Sequence, residues 1–130
     1  MKTTTTWKVK QEFESRQENN TIKLDGNKAN GFSPKALLLS GLAACSGIDV
    51  VEILEKMRVE FSGFIIDTEA SQTEEHPKVF KEILITFRIK TAVENEDKVK
   101  KAIELSLDKY CGVSAMLKKN SRVNYKLVIE

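Results

Sequence analysis

The chain has 130 residues, 41% of them hydrophobic and only two of them proline. That is the length of one domain, residues 1–130, able to bury roughly two-thirds of its unfolded surface, and it excludes a disordered chain. Lys and Arg number 21 against 19 Asp and Glu, a net charge of +2 spread along the chain, which excludes the basic stripe of a nucleic-acid or anionic-membrane binder.

The first segment alternates. Thr5, Trp7, Val9, Gln11 and Phe13 fall on one side of an extended chain and Thr4, Thr6, Lys8, Lys10 and Glu12 on the other, the pattern of a half-buried strand. Asn19-Asn20 marks a turn, Thr21–Leu24 alternates again, and Asp25-Gly26 is a strong turn dipeptide. The chain thus opens as a β-hairpin or meander, followed by an aperiodic loop, Asn27–Phe32. Ser33-Pro34 is a helix start, because a serine side chain accepts an orphan backbone N–H and proline at the first helical position loses no hydrogen bond. The helix is expected to reach Met57. Its first half, Ala36–Cys45, is apolar nearly all round, broken by Ser40 and Gly41, and is expected to be buried on every side; Asp49, Glu52, Glu55 and Lys56 give the second half a wet face.

Two strands are expected next. In the first, Val59 and Phe61 alternate in one phase and Phe64, Ile66, Thr68 and Ala70 continue in the other, with a bulge where the phase slips at Gly63. A polar loop, Ser71–Lys78, leads to a clear strand in which Ile83, Ile85, Phe87 and Ile89 alternate with Glu82, Leu84, Thr86 and Arg88. Asn95-Glu96-Asp97 begins a second helix that places Val99, Ala102, Ile103, Ser106 and Tyr110 on one face. Cys111-Gly112 interrupts it, Val113–Leu117 forms a further short helix, and Val123, Tyr125, Leu127 and Ile129 alternate in a last strand. This order is that of an α+β domain. One antiparallel sheet of five or six strands covers only one side of a helix. The all-round apolar Ala36–Cys45 segment therefore needs a second cover, and a homodimer is expected.

No window approaches 18 continuous apolar residues, and Met1-Lys2 leads into four threonines rather than an apolar leader. The expectation is a cytoplasmic protein without a membrane span or signal peptide. Two cysteines, Cys45 and Cys111, 66 positions apart, are too few for a secreted disulfide scaffold or for a four-ligand zinc site on their own. Cys45, beside Leu42, Ala43 and Ala44, reads either as a small buried hydrophobe or as a reactive thiol. Cys111, at a helix break, would feel the positive end of the short helix after it, which favours thiolate. A pair of this kind is what a peroxidatic and a resolving thiol require, although spacing alone does not distinguish such a pair from two core cysteines.

The segment Gly31-Phe32-Ser33-Pro34-Lys35-Ala36-Leu37-Leu38-Leu39-Ser40-Gly41-Leu42-Ala43-Ala44-Cys45-Ser46-Gly47-Ile48-Asp49-Val50-Val51 resembles the OsmC/Ohr family of thiol-dependent peroxidases, in particular an OsmC-like branch with a Cys-Ser-x-Ile-Asp-Val-Val helix. Lys109-Tyr110-Cys111-Gly112-Val113 is similar to the family's second cysteine motif, and the element order agrees throughout. The resemblance implies an intertwined dimer, antiparallel sheets wrapped around long central helices, and no metal or organic cofactor. It further implies that Cys45 attacks an organic hydroperoxide and becomes a sulfenic acid, that Cys111 closes a disulfide upon it, and that an external dithiol reductant reopens the pair.

Three further residues bear on that chemistry. Family peroxidases carry a glutamate after the proline of the central helix, orienting an arginine toward the thiolate; Lys35 stands at that position here, and Arg16 is the candidate arginine of the early strands. An ammonium can favour a thiolate, but Lys35 lies about 15 Å along the helix from Cys45. Asp49, four residues after Cys45, shares its helix face and reads as an orienting group or as a structural carboxylate, since a bare carboxylate disfavours a neighbouring thiolate. Glu52 reads as a solvated charge, His76 as an exposed loop residue, and Tyr110 as core or as a cap on a pocket. The expected function is an organic hydroperoxide reductase, with a redox sensor or small-ligand-binding member of the same fold as the alternative that the Lys35 replacement keeps open.

Overall fold

The computed structural model describes residues 1–130, which divide into two compact units, Met1–Leu39 and Ser40–Glu130. The first holds an antiparallel meander, β1 (Thr4–Val9), β2 (Glu12–Gln17) and β3 (Asn20–Asp25), paired in that order. The alternation expected to run as one strand to Phe13 is broken at Lys10, whose φ is 51°. Trp7 Nε1 donates to the Lys10 carbonyl at 2.9 Å, closing the turn. Trp7 then pairs with Phe13, and Phe13 with Leu24. Both halves of the hairpin therefore show their apolar residues on one face, and periodicity runs through the turn without a mark.

Past β3 the chain is fastened by Asp25. Its carboxylate accepts backbone N–H bonds from Asn27 at 2.8 Å, Ala29 at 3.2 Å and Asn30 at 3.0 Å, which hold it below the usual carboxylate range. The Phe32 N–H donates to the Lys23 carbonyl at 3.0 Å. A Cβ at Gly31 would stand 2.7 Å from the Lys23 carbonyl carbon and oxygen, so only glycine allows that approach.

Helix α1 (Pro34–Lys56) begins and ends where its capping signals and wet face place it. Its most apolar window reaches a mean hydropathy of 1.8, long and apolar enough by length and composition to cross a membrane, although polar residues interrupt the run and 28% of that window is buried in the fold. The second unit contains the rest of α1 and a second sheet, β4 (Ser62–Gln72), β5 (Phe80–Lys90) and β6 (Arg122–Ile129). The first of the two strands expected after the helix is β4, and its pairing slips between Ser62 and Ile65, around Gly63 with φ 56°, where the bulge was expected. The buried row of β5, Ile83, Ile85, Phe87 and Ile89, is the centre of the core, and Phe87 stacks on Phe64 with ring centroids 6.2 Å apart.

Two expectations are corrected here. The strands form two three-stranded sheets, the plural sheets that the family resemblance implies and not the single one of the packing expectation. The second is mixed, because β6 runs parallel to β5. The reason is the connection: between Lys90 and Arg122 the chain passes through α2 (Glu96–Leu105) and α3 (Gly112–Lys118), and such a crossover returns it in the same direction. The second correction concerns α1. Within one chain its first half is not buried on every side, since Leu42 is fully buried but Leu38 is 53% exposed.

Candidate active site

Cys45 lies on α1, on the stripe that carries Asp49 and Lys56, and is half-buried. Cys111 follows α2 after an irregularity that the sequence does not announce. Residues Ser106–Tyr110 form a π-helical turn closed by the Cys111 N–H donating to the Ser106 carbonyl at 2.7 Å. A π turn carries one residue more than an α turn. The core face therefore passes from Ser106 and Leu107 to Cys111 instead of Tyr110. Cys111 is 3% exposed, whereas Tyr110, expected on the core face, is 55% exposed.

The two thiols are free, and Cys45 stands close enough to raise the Cys111 thiol by hydrogen bonding and by charge. Cys111 also stands at the N-cap of α3, its sulfur accepting the Ser114 N–H at 3.3 Å. The expectation that this helix end makes Cys111 a thiolate is corrected by the balance of effects. Burial, then the hydrogen bond and charge of Cys45, outweigh the Ser114 and Val113 amides and push the Cys111 thiol up to about 11. Cys111 therefore keeps its proton.

Three buried serines lie near the pair: Ser106, expected on the core face of the second helix, and Ser46 and Ser114, to which the sequence assigned no role. Ser106 Oγ donates to Asp49 Oδ2 at 2.8 Å and lies 3.3 Å from the Ser46 carbonyl. Ser46 Oγ bonds back to the Leu42 carbonyl at 2.9 Å. Ser114 Oγ donates to the Leu107 carbonyl at 3.1 Å, which also accepts from Lys118 Nζ at 2.8 Å. The available signal was a run of hydroxyls at apolar positions of helices, Ser106 among Val99, Ala102 and Ile103 above all.

Asp49 thus joins the cysteine site through Ser106. Arg16 and Lys35 belong to the first unit. Arg16 pairs with Thr4 and Thr21, on the sheet face opposite Trp7 and Phe13, and its Nε donates to the Glu18 carbonyl at 3.0 Å. Lys35 is exposed in the first turn of α1. His76 is exposed on the β4–β5 loop.

Two cavities flank the second half of α1. One, of about 610 Å³, continues the Cys45 stripe and is walled by Asp49, Glu52, Ile53, Lys56, Leu105 and Tyr110. The other, of about 680 Å³, lies on the opposite face of the helix, between Ala44, Gly47, Ile48 and Val51 and the Phe64 and Ile66 side chains of β4. Neither thiol lines either cavity, and the second is an uncovered apolar groove.

Comparison with known proteins supplies the family. Residues 25–126 match the family model described as OsmC-like protein. Protein YhfA of Escherichia coli strain K12 is 32% identical over 105 residues, 80% of this chain and 78% of YhfA. Among solved structures, a hypothetical protein from Aquifex aeolicus aligns with a TM-score of 0.84 at 29% identity, covering 99% of this chain and 96% of that one. The Organic Hydroperoxide Resistance Protein OhrB of Bacillus subtilis shares the fold with a TM-score of 0.67 at 19% identity, covering 97% and 96%. With both cysteine motifs inside the matched span, the chain belongs to the OsmC-like protein family.

Proposed function

We propose that the protein is a thiol-dependent hydroperoxide reductase. The observation that carries this reading is the asymmetry of a neighbouring thiol pair, a half-buried Cys45 against a buried Cys111 that holds its proton. Family membership and the likeness to a hydroperoxide resistance protein support a peroxide-related redox role. In the first step the Cys45 thiolate displaces at the distal oxygen of an organic hydroperoxide. The O–O bond breaks, an S–O bond forms, the alkoxide takes a proton and leaves as alcohol, and Cys45 becomes a sulfenic acid. The Cys111 sulfur then attacks the sulfenic sulfur, its proton leaves with the hydroxyl as water, and a Cys45–Cys111 disulfide results. An external dithiol reopens the disulfide, its two thiols being oxidised as the protein pair is reduced. No step calls for a metal or an organic cofactor. The working unit is a cytoplasmic homodimer whose second copy covers the uncovered groove on α1.

Mixing reduced protein with tert-butyl hydroperoxide and counting free thiols tests the reading. Both thiols are expected to disappear together, and Cys45→Ser to abolish peroxide consumption; consumption that survives Cys45→Ser sinks it. A redox sensor is the second reading, favoured by Lys35 at the position where family peroxidases carry the orienting glutamate. A sensor would oxidise once and fail to turn over with a dithiol reductant.

A further inference from the structure

Ser106 occupies a position that no other residue shares. Its carbonyl closes the π turn on the Cys111 N–H at 2.7 Å. Its hydroxyl reaches α1 at two points, Asp49 Oδ2 at 2.8 Å and the carbonyl of Ser46, the residue directly after Cys45, at 3.3 Å. With one proton to donate, the hydroxyl serves the charged acceptor at the shorter distance, because bonds to ionised groups are about twice as strong as neutral ones. Ser106 is fully buried, so water cannot replace its hydroxyl if the side chain is truncated. π turns are uncommon and frequently mark functional sites. This one decides whether Cys111 or Tyr110 stands near Cys45.

Resting on the thiol-pair reading above, we infer that the Asp49–Ser106 hydrogen bond is a positioning brace for the resolving step, holding the π turn so that Cys111 stays in line with the Cys45 sulfur. Asp49 thereby acts on the second cysteine through Ser106. Without the brace, the segment after α2 is free to regain α-helical register, which carries Cys111 off the face that Cys45 meets.

The test separates closure from peroxide chemistry by using oxidised glutathione. Cys45 attacks it, forming a Cys45–glutathione mixed disulfide and releasing one reduced glutathione. Cys111 then closes the protein disulfide and releases the second. Ser106→Ala and Asp49→Ala are each expected to slow release of the second glutathione about tenfold, the scale of one part-buried hydrogen bond to a charged group. Asp49→Asn keeps an acceptor for the serine and is expected to stay within about threefold of wild type. The double variant Ser106→Ala/Asp49→Ala is expected to be no slower than the slower single one, because both remove the same bond. With tert-butyl hydroperoxide the braceless variants should also accumulate Cys45 sulfinic acid, seen by intact mass. Wild-type closure in both alanine variants, or multiplicative slowing in the double variant, overturns the brace. A wild type that closes with glutathione yet consumes no hydroperoxide would overturn the peroxidase reading and leave the brace tested by the glutathione arm alone.

Discussion

At the scale of single residues, the chemistry turns on which of two similar thiols keeps its proton. Cys111 caps a helix, an arrangement that ordinarily favours a thiolate, yet burial and the neighbouring Cys45 push it up to about 11. A group whose folded value is raised contributes stability in full below its unfolded value and loses it as pH climbs through the folded one. Unfolded cysteine releases its proton at about 8.5. The wild type should therefore lose stability between that pH and about 11 more steeply than Cys111→Ser. Urea midpoints measured across this window for both proteins check it; parallel curves would show that the Cys111 proton is not held by the fold. Asp49 teaches the same lesson from the other side. Its place on the Cys45 face was legible from i, i+4 spacing, but its partner, Ser106, lies 57 positions away and no local pattern pointed to it.

At the scale of elements, close backbone approaches account for two glycines and predict unequal costs. A Cβ at Gly31 meets the Lys23 backbone, which cannot withdraw without breaking the Phe32–Lys23 hydrogen bond. A Cβ at Gly63 meets only the Lys90 side chain, 3.1 Å away and able to move, so the remaining cost is the left-handed φ of 56°. Gly31→Ala should destabilise by about 2 kcal/mol and Gly63→Ala by about 1 kcal/mol. Denaturant melts of the two variants would show the order; a reversed order would mean that the loop after β3 yields more readily than the bulge in β4.

At the scale of the whole molecule, the uncovered apolar surface is the main residue of the packing argument. Ile48 borders the groove on α1 and is 60% exposed, and Trp7, at 62%, belongs to the apolar face of the first sheet. A second copy is the proposed cover. Ile48→Glu should then leave the circular dichroism of the chain unchanged while halving its native mass, because the substitution buries a charge only at the subunit contact. Wild-type protein that is already monomeric in native mass spectrometry would contradict the cover.

The sequence by itself determined the α+β order of elements, the ends of α1, the core row of β5, the bulge at Gly63 and the two cysteine motifs, because each is written in local periodicity, capping residues or residue identity. The tertiary structure alone decided four things. It placed the turn at Lys10, through which alternation runs unbroken, and turned β6 parallel to β5. It separated the strands into two sheets, and it inserted the π turn that brings Cys111 rather than Tyr110 near Cys45. The physical reason is common to them. Each depends on a bond or pairing that hydrophobic alternation does not record: the Trp7–Lys10 bond at the turn, pairing between distant strands, or one extra residue in a turn. A periodic pattern reports only which side chains are apolar, not which partner they meet.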